Sequence, residues 1–378
     1  MYDFMEYCLR RYYRASGWNE ENQYSNLCAW SRSMLDFTVP HGISLVMSKL
    51  PSQVFKPSYT IDALPSLNGS MGYLYTSRPL DVDTSATVDF RETLNSIRSS
   101  KPLTKYRPEN TQDYLVYGRM FLPGGNLEAV YSRRLSETTQ YIITAFNDPR
   151  KQGASLIGMQ LQRDVGRHCT EFSYTTDDGL LGLRGLYNFG HDRFANGQWS
   201  AGAELYYGIL DKSGGFSTGL RYQTLPASSV PPISVTYTLN PIVGHMSTAY
   251  VAQVSDELVL CSRFEFSIYS YESDLAVGFE WRSAHNAMAK MKLAEDVKSV
   301  EQHAAETGHI VVSDVMEESD GVTKLEGLVK ARFGLAQGVA LMWEGRFKNL
   351  LFSLGITGDL SNRTNPIRSV GLELQYFA

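Results

Sequence analysis

Side chains that could do chemistry are present in this chain, but they are not grouped for it. No GxxxxGK[ST], GxSxG or HExxH occurs in the 378 residues, so no phosphate loop, nucleophile elbow or metalloprotease helix is encoded. His303 and His309 stand six apart, a spacing that does not place both on one helical face, and they read as solvated loop histidines. Gly179, Gly182 and Gly185 resemble a phosphate loop only superficially, because they lie in alternating strand sequence where glycine relieves crowding. Asn68-Gly-Ser70 and Asn362-Arg-Thr364 match the glycosylation sequon, a short pattern that matters only on the secretory route. The four cysteines, Cys8, Cys28, Cys169 and Cys261, include no CxxC pair and read as small hydrophobes rather than a disulfide scaffold or thiolate metal site. Neither an enzyme activity nor a metal or cofactor is expected. Nucleic acid is not expected as a partner either, since 35 Lys and Arg against 40 Asp and Glu leave a net charge of -5.

Two small groups of residues carry a different chemistry, that of surfaces joining surfaces. The C-terminal run Ser369-Val370-Gly371-Leu372-Glu373-Leu374-Gln375-Tyr376 has the order polar, any, Gly, any two, hydrophobic, any, hydrophobic. It suits strand addition: an alternating edge lends backbone hydrogen bonds to an open seam, Gly371 permits close approach, and Leu374 and Tyr376 face an apolar medium. Further back, Tyr73 and Tyr75 share one face of a strand with Met71, and Gly69 and Gly72 are read as leaving room beside them for a neighbour. That pair is expected to be a contact between barrel walls, with an aromatic girdle at lipid headgroups as the alternative.

The elements that must carry these residues are strands. From about Ile43 onward apolar and polar residues alternate over segments of eight to twelve, bounded by Gly, Pro, Asn and Asp. Trp199, Ala201, Ala203, Leu205, Tyr207 and Ile209 fall on one face of such a segment, with Ser200, Gly202, Glu204, Tyr206 and Gly208 on the other. About 9 to 11 residues is what a tilted strand needs to cross a hydrocarbon core, against a usual five or six in soluble sheets. The polar faces are Gly, Ser, Thr and isolated charges, as in a confined lumen, and aromatics fall near strand ends as well as inside, at Trp199, Tyr222, Trp281 and Trp343. No apolar run approaches the roughly 18 residues of a membrane-spanning helix. Nineteen candidate strands can be counted, the one at Tyr59 to Leu64 the weakest, and an odd number forces the first and last to pair in parallel. The fold predicted is all-β: a transmembrane antiparallel β-barrel of about 19 strands, porin-like, with N-terminal helices.

The organisation predicted is an N-terminal helical segment over 1–35 and a barrel over 36–378, with loop insertions at 80–112 and 284–323. Phe4, Met5, Cys8, Leu9 and Tyr12 suit a short amphipathic helix, and Glu20 to Leu35 carries a second helical pattern. The first sixteen residues hold Asp3, Glu6 and three arginines without an apolar stretch, unlike a secretory signal or a matrix presequence. A short helix is expected around Val88 to Ile97. The insertion Ala284 to Thr323 has eight acidic and three basic side chains, so the whole net charge resides there and the rest of the chain balances. It reads as a solvent loop, with partner docking as the sharper possibility. Eleven charges are predicted to face the lumen: Glu171, Arg184, Glu204, Arg221, Glu280, Arg282, Lys330, Arg332, Glu344, Arg346 and Glu373. Their near balance lacks the single-sign ring of a selective pore.

The opening MYDFMEYCLRRYYRASGWNEENQYS, the following MLDFTVPHGISL, then NGSMGYLYTS and the terminal SVGLELQYF together resemble the fungal mitochondrial distribution and morphology protein ten family. The resemblance spans essentially the whole chain and is strongest over residues 1 to 80 and the last strand. It implies a porin-like barrel of the mitochondrial outer membrane, non-catalytic and in contact with outer-membrane lipids. It also implies two memberships. One is the ER–mitochondria encounter structure, a tether serving lipid exchange, mitochondrial shape and mitochondrial DNA inheritance. The other is the sorting and assembly machinery, whose barrel would be a partner together with TOM receptor or channel components, and which reads the last strand of a barrel as its assembly signal. A porin-type metabolite or polypeptide channel is the alternative, testable by bilayer conductance. A soluble propeller is disfavoured because blade repeats of about 40 to 50 residues are absent.

Overall fold

The computed structural model describes residues 4–80, 82, 84–85, 113–150, 155–189, 197–224, 231–284, 325–336, 338–359 and 366–378. Nineteen strands form one closed sheet. In chain order they are β1 (Gly42–Ser48), β2 (Phe55–Leu64), β3 (Asn68–Thr76), β4 (Tyr114–Leu122), β5 (Asn126–Arg134), β6 (Thr139–Asn147), β7 (Ser155–Asp164), β8 (His168–Thr175), β9 (Leu180–Asn188) and β10 (Gly197–Gly208). They continue as β11 (Ser213–Thr224), β12 (Ile233–Asn240), β13 (His245–Gln253), β14 (Leu258–Ser267), β15 (Ser273–Ala284), β16 (Leu325–Gly334), β17 (Gly338–Phe347), β18 (Leu350–Gly358) and β19 (Ile367–Phe377). Each strand pairs antiparallel with its chain neighbour, and β1 closes the ring by pairing in parallel with β19, Gly42 opposite Gly371 through Ser48 opposite Phe377. Closure leaves no free edge, which is how a sheet avoids unpaired backbone groups. The strand expected over Tyr59 to Leu64 begins earlier, at Phe55. It includes Pro57, which the alternation alone disfavours but a strand can hold where its missing N–H is not needed.

Side chains alternate between the two faces of the wall. In β3, Ser70, Gly72, Leu74 and Thr76 are buried towards the lumen, while Met71, Tyr73 and Tyr75 are exposed on the outside. The usual rule for soluble proteins is reversed in much of the wall: Leu205, Leu220, Phe264 and Trp343 point outward and are exposed, whereas Glu171, Glu280 and Arg282 point inward and are buried. Among the described residues no helix is long and apolar enough to cross a membrane.

The core lies inside the ring and is supplied by the N-terminus. Helix α1 (Phe4–Ser16) buries Phe4, Met5, Tyr7, Cys8 and Tyr12 against Leu74, Leu115, Leu351 and Phe377. It ends in a Schellman closure: Gly17, at φ 70, donates to the Arg14 carbonyl, and Trp18 to the Tyr13 carbonyl at 2.9 Å. The helix expected as one piece over Glu20 to Leu35 is broken. A 3-10 turn at Tyr24–Asn26 precedes helix α2 (Ala29–Leu35), because a straight rod of that length cannot follow a curved inner wall. Asn22 bonds Asp164 and Asn188, Tyr24 and Leu27 pack beside Leu186, and Trp30, Met34 and Leu35 pack on Val251, Val259, Cys261 and Ala276. Phe37 and Val39 then pack on Ala340 and Met342 before the chain enters β1. Residues 4–41 thus travel almost once around the inside of the barrel. The helix expected around Val88 to Ile97, the acidic insertion Ala284 to Thr323 except for Ala284, which ends β15, and His303 and His309 within it lie outside the described residues.

Candidate functional site on the barrel wall

Two surfaces could serve a partner, the lumen and the outer wall, and the lumen is largely spoken for. Its inward glycines mark where the N-terminal segment presses closest. A Cβ on Gly202 would lie 2.5 Å from the Tyr24 ring, on Gly219 2.8 Å from Leu27, and on Gly278 2.8 Å from Leu35. On Gly355 it would meet Val39, and on Gly371 the Pro40 carbonyl. Alternation alone shows such residues as strand glycines; only the path of residues 4–41 explains them.

All eleven predicted luminal charges whose neighbours are described face inward, and most engage groups of the same chain. Arg184 bonds Glu204, donates to the Tyr206 hydroxyl at 2.6 Å and stands 3.8 Å from Glu171. Glu280 lies 3.1 Å from Arg282 and 4.0 Å from Lys330. Arg332 donates to the Leu35 carbonyl at 2.7 Å and Lys330 to the Ser33 carbonyl at 3.4 Å, satisfying the C-terminal end of α2. Wall arginines do the same for α1, with Arg78 on the Ala15 carbonyl at 3.0 Å and Arg134 on that of Ser16. Alternation had not singled out Arg263, which forks onto Asp36 with bonds of 2.7 and 2.9 Å. Its partner lies 227 residues away in sequence, so no local pattern could reveal the pair. Among the described residues no three His, Cys, Asp or Glu side chains converge as metal ligands.

The outer wall carries the residues singled out in β3. Tyr73 and Tyr75 are both exposed, at 49% and 41%. The Tyr73 ring lies across Gly118, its partner in β4, where a Cβ would come within 2.8 Å of the ring. Tyr75 stands beside Tyr114, ring centroids 6.1 Å apart. Gly69 shares this outer face, but Gly72 faces the lumen, where Met5 would be 3.2 Å from its Cβ. The space next to the tyrosines is therefore opened by Gly118, and Gly72 serves α1. Around the ring, Leu374 and Tyr376 point outward from β19, while Ser369 and Gly371 point inward. Ser369 shares a hydroxyl bond of 2.5 Å with Thr357 of β18, and Gly371 lets Pro40 cross above it.

The architecture and these wall residues can be set beside known proteins. The family model described as mitochondrial distribution and morphology protein 10 matches residues 1–326 and 311–378, which together cover the chain. The chain belongs to this family. Relatives bearing that name include one from Phaeosphaeria nodorum at 41% identity, one from Sclerotinia sclerotiorum at 39% and one from Laccaria bicolor at 37%, each aligned over the whole of both chains. For a member of this family the nineteen-strand ring and the N-terminal segment within it are the frame that positions Tyr73, Tyr75 and the β19 motif.

Proposed function

We propose that this chain is a non-catalytic scaffold barrel of the mitochondrial outer membrane that acts in mitochondrial distribution and morphology. In this reading it is a subunit of the ER–mitochondria encounter structure, supporting lipid exchange and mitochondrial DNA inheritance. It is also a subunit of the sorting and assembly machinery, aiding late assembly of β-barrels and of the TOM complex. The observation that carries the reading is the luminal one: inward glycines and ion pairs are used to seat residues 4–41, which leaves the outer wall and rims as the free surfaces. Family membership supports the mitochondrial role through the relatives' name.

Tyr73 and Tyr75 are assigned to a barrel-to-barrel contact and β19 to recognition during assembly. Changing both tyrosines to Ala should leave the protein inserted, because neither supports the luminal core, yet detach one of the two complexes. Native-gel co-purification from mitochondria checks this, and unchanged recovery of both complexes would sink the assignment. Recovery of a tagged chain in neither complex, with stable ion-selective conductance in planar bilayers, would favour the channel.

A further inference from the structure

The apolar belt on the outside of the barrel has an uneven height. On β10 the outward positions are Trp199, Ala201, Ala203, Leu205 and Tyr207, and Ile209 of the next turn continues them. On β14 the run from Leu258 to Ile268 is as long, interrupted only by Ser262. With a rise of about 3.3 Å per residue and a tilt of about 40°, ten residues give an apolar height of about 25 Å, the usual band of a membrane barrel. Hairpin tips on this side extend it, with Ile242, Val243 and Tyr269 exposed at 55%, 61% and 67%.

Across β5 to β8 the belt is much lower. Outward on β6 stand Thr139, Tyr141, Ile143, Ala145 and Asn147, so only the middle three are apolar. On β7 the outward run Ile157, Met159, Leu161 is bounded by Ser155 and Arg163, and on β8 Phe172 and Tyr174 follow His168 and Thr170; beyond the arginines only single apolar residues, Leu135 and Val165, are exposed in the turns. Such a run spans four rises along the strand, which gives about 10 Å of height at the same rise and tilt. The polar borders run across neighbouring strands, the second of them ending at β6, where Leu127 of β5 stands beside Asn147. Thr139 pairs with Arg163 and Arg163 with Thr170 along one edge, and Asn147 pairs with Ser155 along the other. Arg133 on β5 adds a second outward guanidinium near the first edge, and just inside it the Tyr131 and Tyr141 rings meet at a tilt of 56°, centroids 5.8 Å apart.

The geometry points to a bilayer pinched against β5 to β8, where phospholipid phosphates descend to Arg133 and Arg163 while β10 to β15 hold the membrane at full thickness. The inference rests on the reading of the chain as a membrane-spanning barrel. Phospholipid is the occupant the chemistry favours. The border offers guanidiniums that pair with phosphate, and tyrosines sit one step inside it, as interfacial aromatics do. A belt shorter than the hydrocarbon layer is met by local thinning. Thinning lowers the barrier to headgroups crossing between leaflets, which gives this face a use in a protein that supports lipid exchange.

The test is cryo-electron microscopy of the full chain alone in nanodiscs of dioleoyl phosphatidylcholine with an anionic phospholipid, with the bilayer contour traced around the barrel. The expected contour is thinner beside β5 to β8 than beside β10 to β15 by at least about 5 Å, less than the full belt difference because the bilayer resists deformation. Nitroxides placed at 163 and at 209 in a chain with its cysteines replaced give a second readout. Position 163 should be reached by a water-soluble relaxant at least several-fold more than position 209. An even contour with position 163 shielded overturns the pinch, as does a second copy of the chain seated over β5 to β8. A position 209 open to water, or no lipid along β10 to β15, overturns the membrane reading and the pinch with it.

Discussion

Glycine at 371 carries more of the assembly than its size suggests, because two demands meet there. It belongs to the strand that closes the ring against β1, and the Pro40 carbonyl passes where a Cβ would stand. Gly371→Ala should therefore cost at least about 2 kcal/mol, since backbone rather than a flexible side chain must move. Leu374→Ala, which trims only an outward apolar group, should cost less. Heat-modifiable gel mobility of the two variants distinguishes them, and equal stability would refute the closure argument. Glu20 offers a pH-dependent counterpart in the N-terminal segment. Burial raises its carboxyl pKa, opposed by nearby Arg10. Its folded pKa then lies above its unfolded value, so its contribution favours docking at low pH and is lost as pH rises through the folded value. Replacing it with Gln should flatten the pH dependence of protease resistance in residues 4–41; an unaltered profile would argue against it. The residue types at both positions are visible in the sequence. Their burden is not, because it comes from segments distant along the chain.

At the scale of elements, α2 shows how a short helix is held where propensity alone would not hold it. Seven residues are too few for independent stability. Trp30, Met34 and Leu35 supply the apolar face, Arg332 and Lys330 take its last carbonyls, and Arg263 clamps Asp36 just beyond it. A double-mutant cycle of Arg263→Ala and Asp36→Ala should give a coupling of about 1–2 kcal/mol, below a fully buried pair because the Asp36 side chain is 38% exposed. Hydrogen exchange should rise over residues 29–39 in the single mutants while strand amides stay protected. Coupling near zero would mean that the apolar face alone holds α2. A helical pattern over Glu20 to Leu35 is legible in the sequence. The break before Ala29 is not, since it follows the curvature of a wall built by residues far downstream.

For the whole molecule, charge and connectivity separate cleanly. The strands flanking the acidic insertion remain paired at their ends, Ser283 with Gly327 and Ala284 with Leu325. Replacing residues 286–323 by a short Gly/Ser linker should therefore leave a barrel of unchanged heat-modifiability while the net charge rises by 5, the amount carried by the deleted acids and lysines. Loss of the folded form would show that the insertion supports the ring. Deleting residues 4–34 should lower thermal stability and raise single-barrel conductance several-fold, because those residues occupy the inner wall; an unchanged conductance would count against that role. The sequence by itself determined the nineteen strands, their two faces, the parallel closure and eleven of the inward charges. All of these follow from a period of two and from parity, which are local properties. Only the tertiary structure decided that Gly72 serves α1 and not a neighbour, that Arg263 holds Asp36, and that residues 4–41 circle the lumen. Contacts of this kind are chosen by closure of the ring, which brings residues hundreds of positions apart to the same few ångströms.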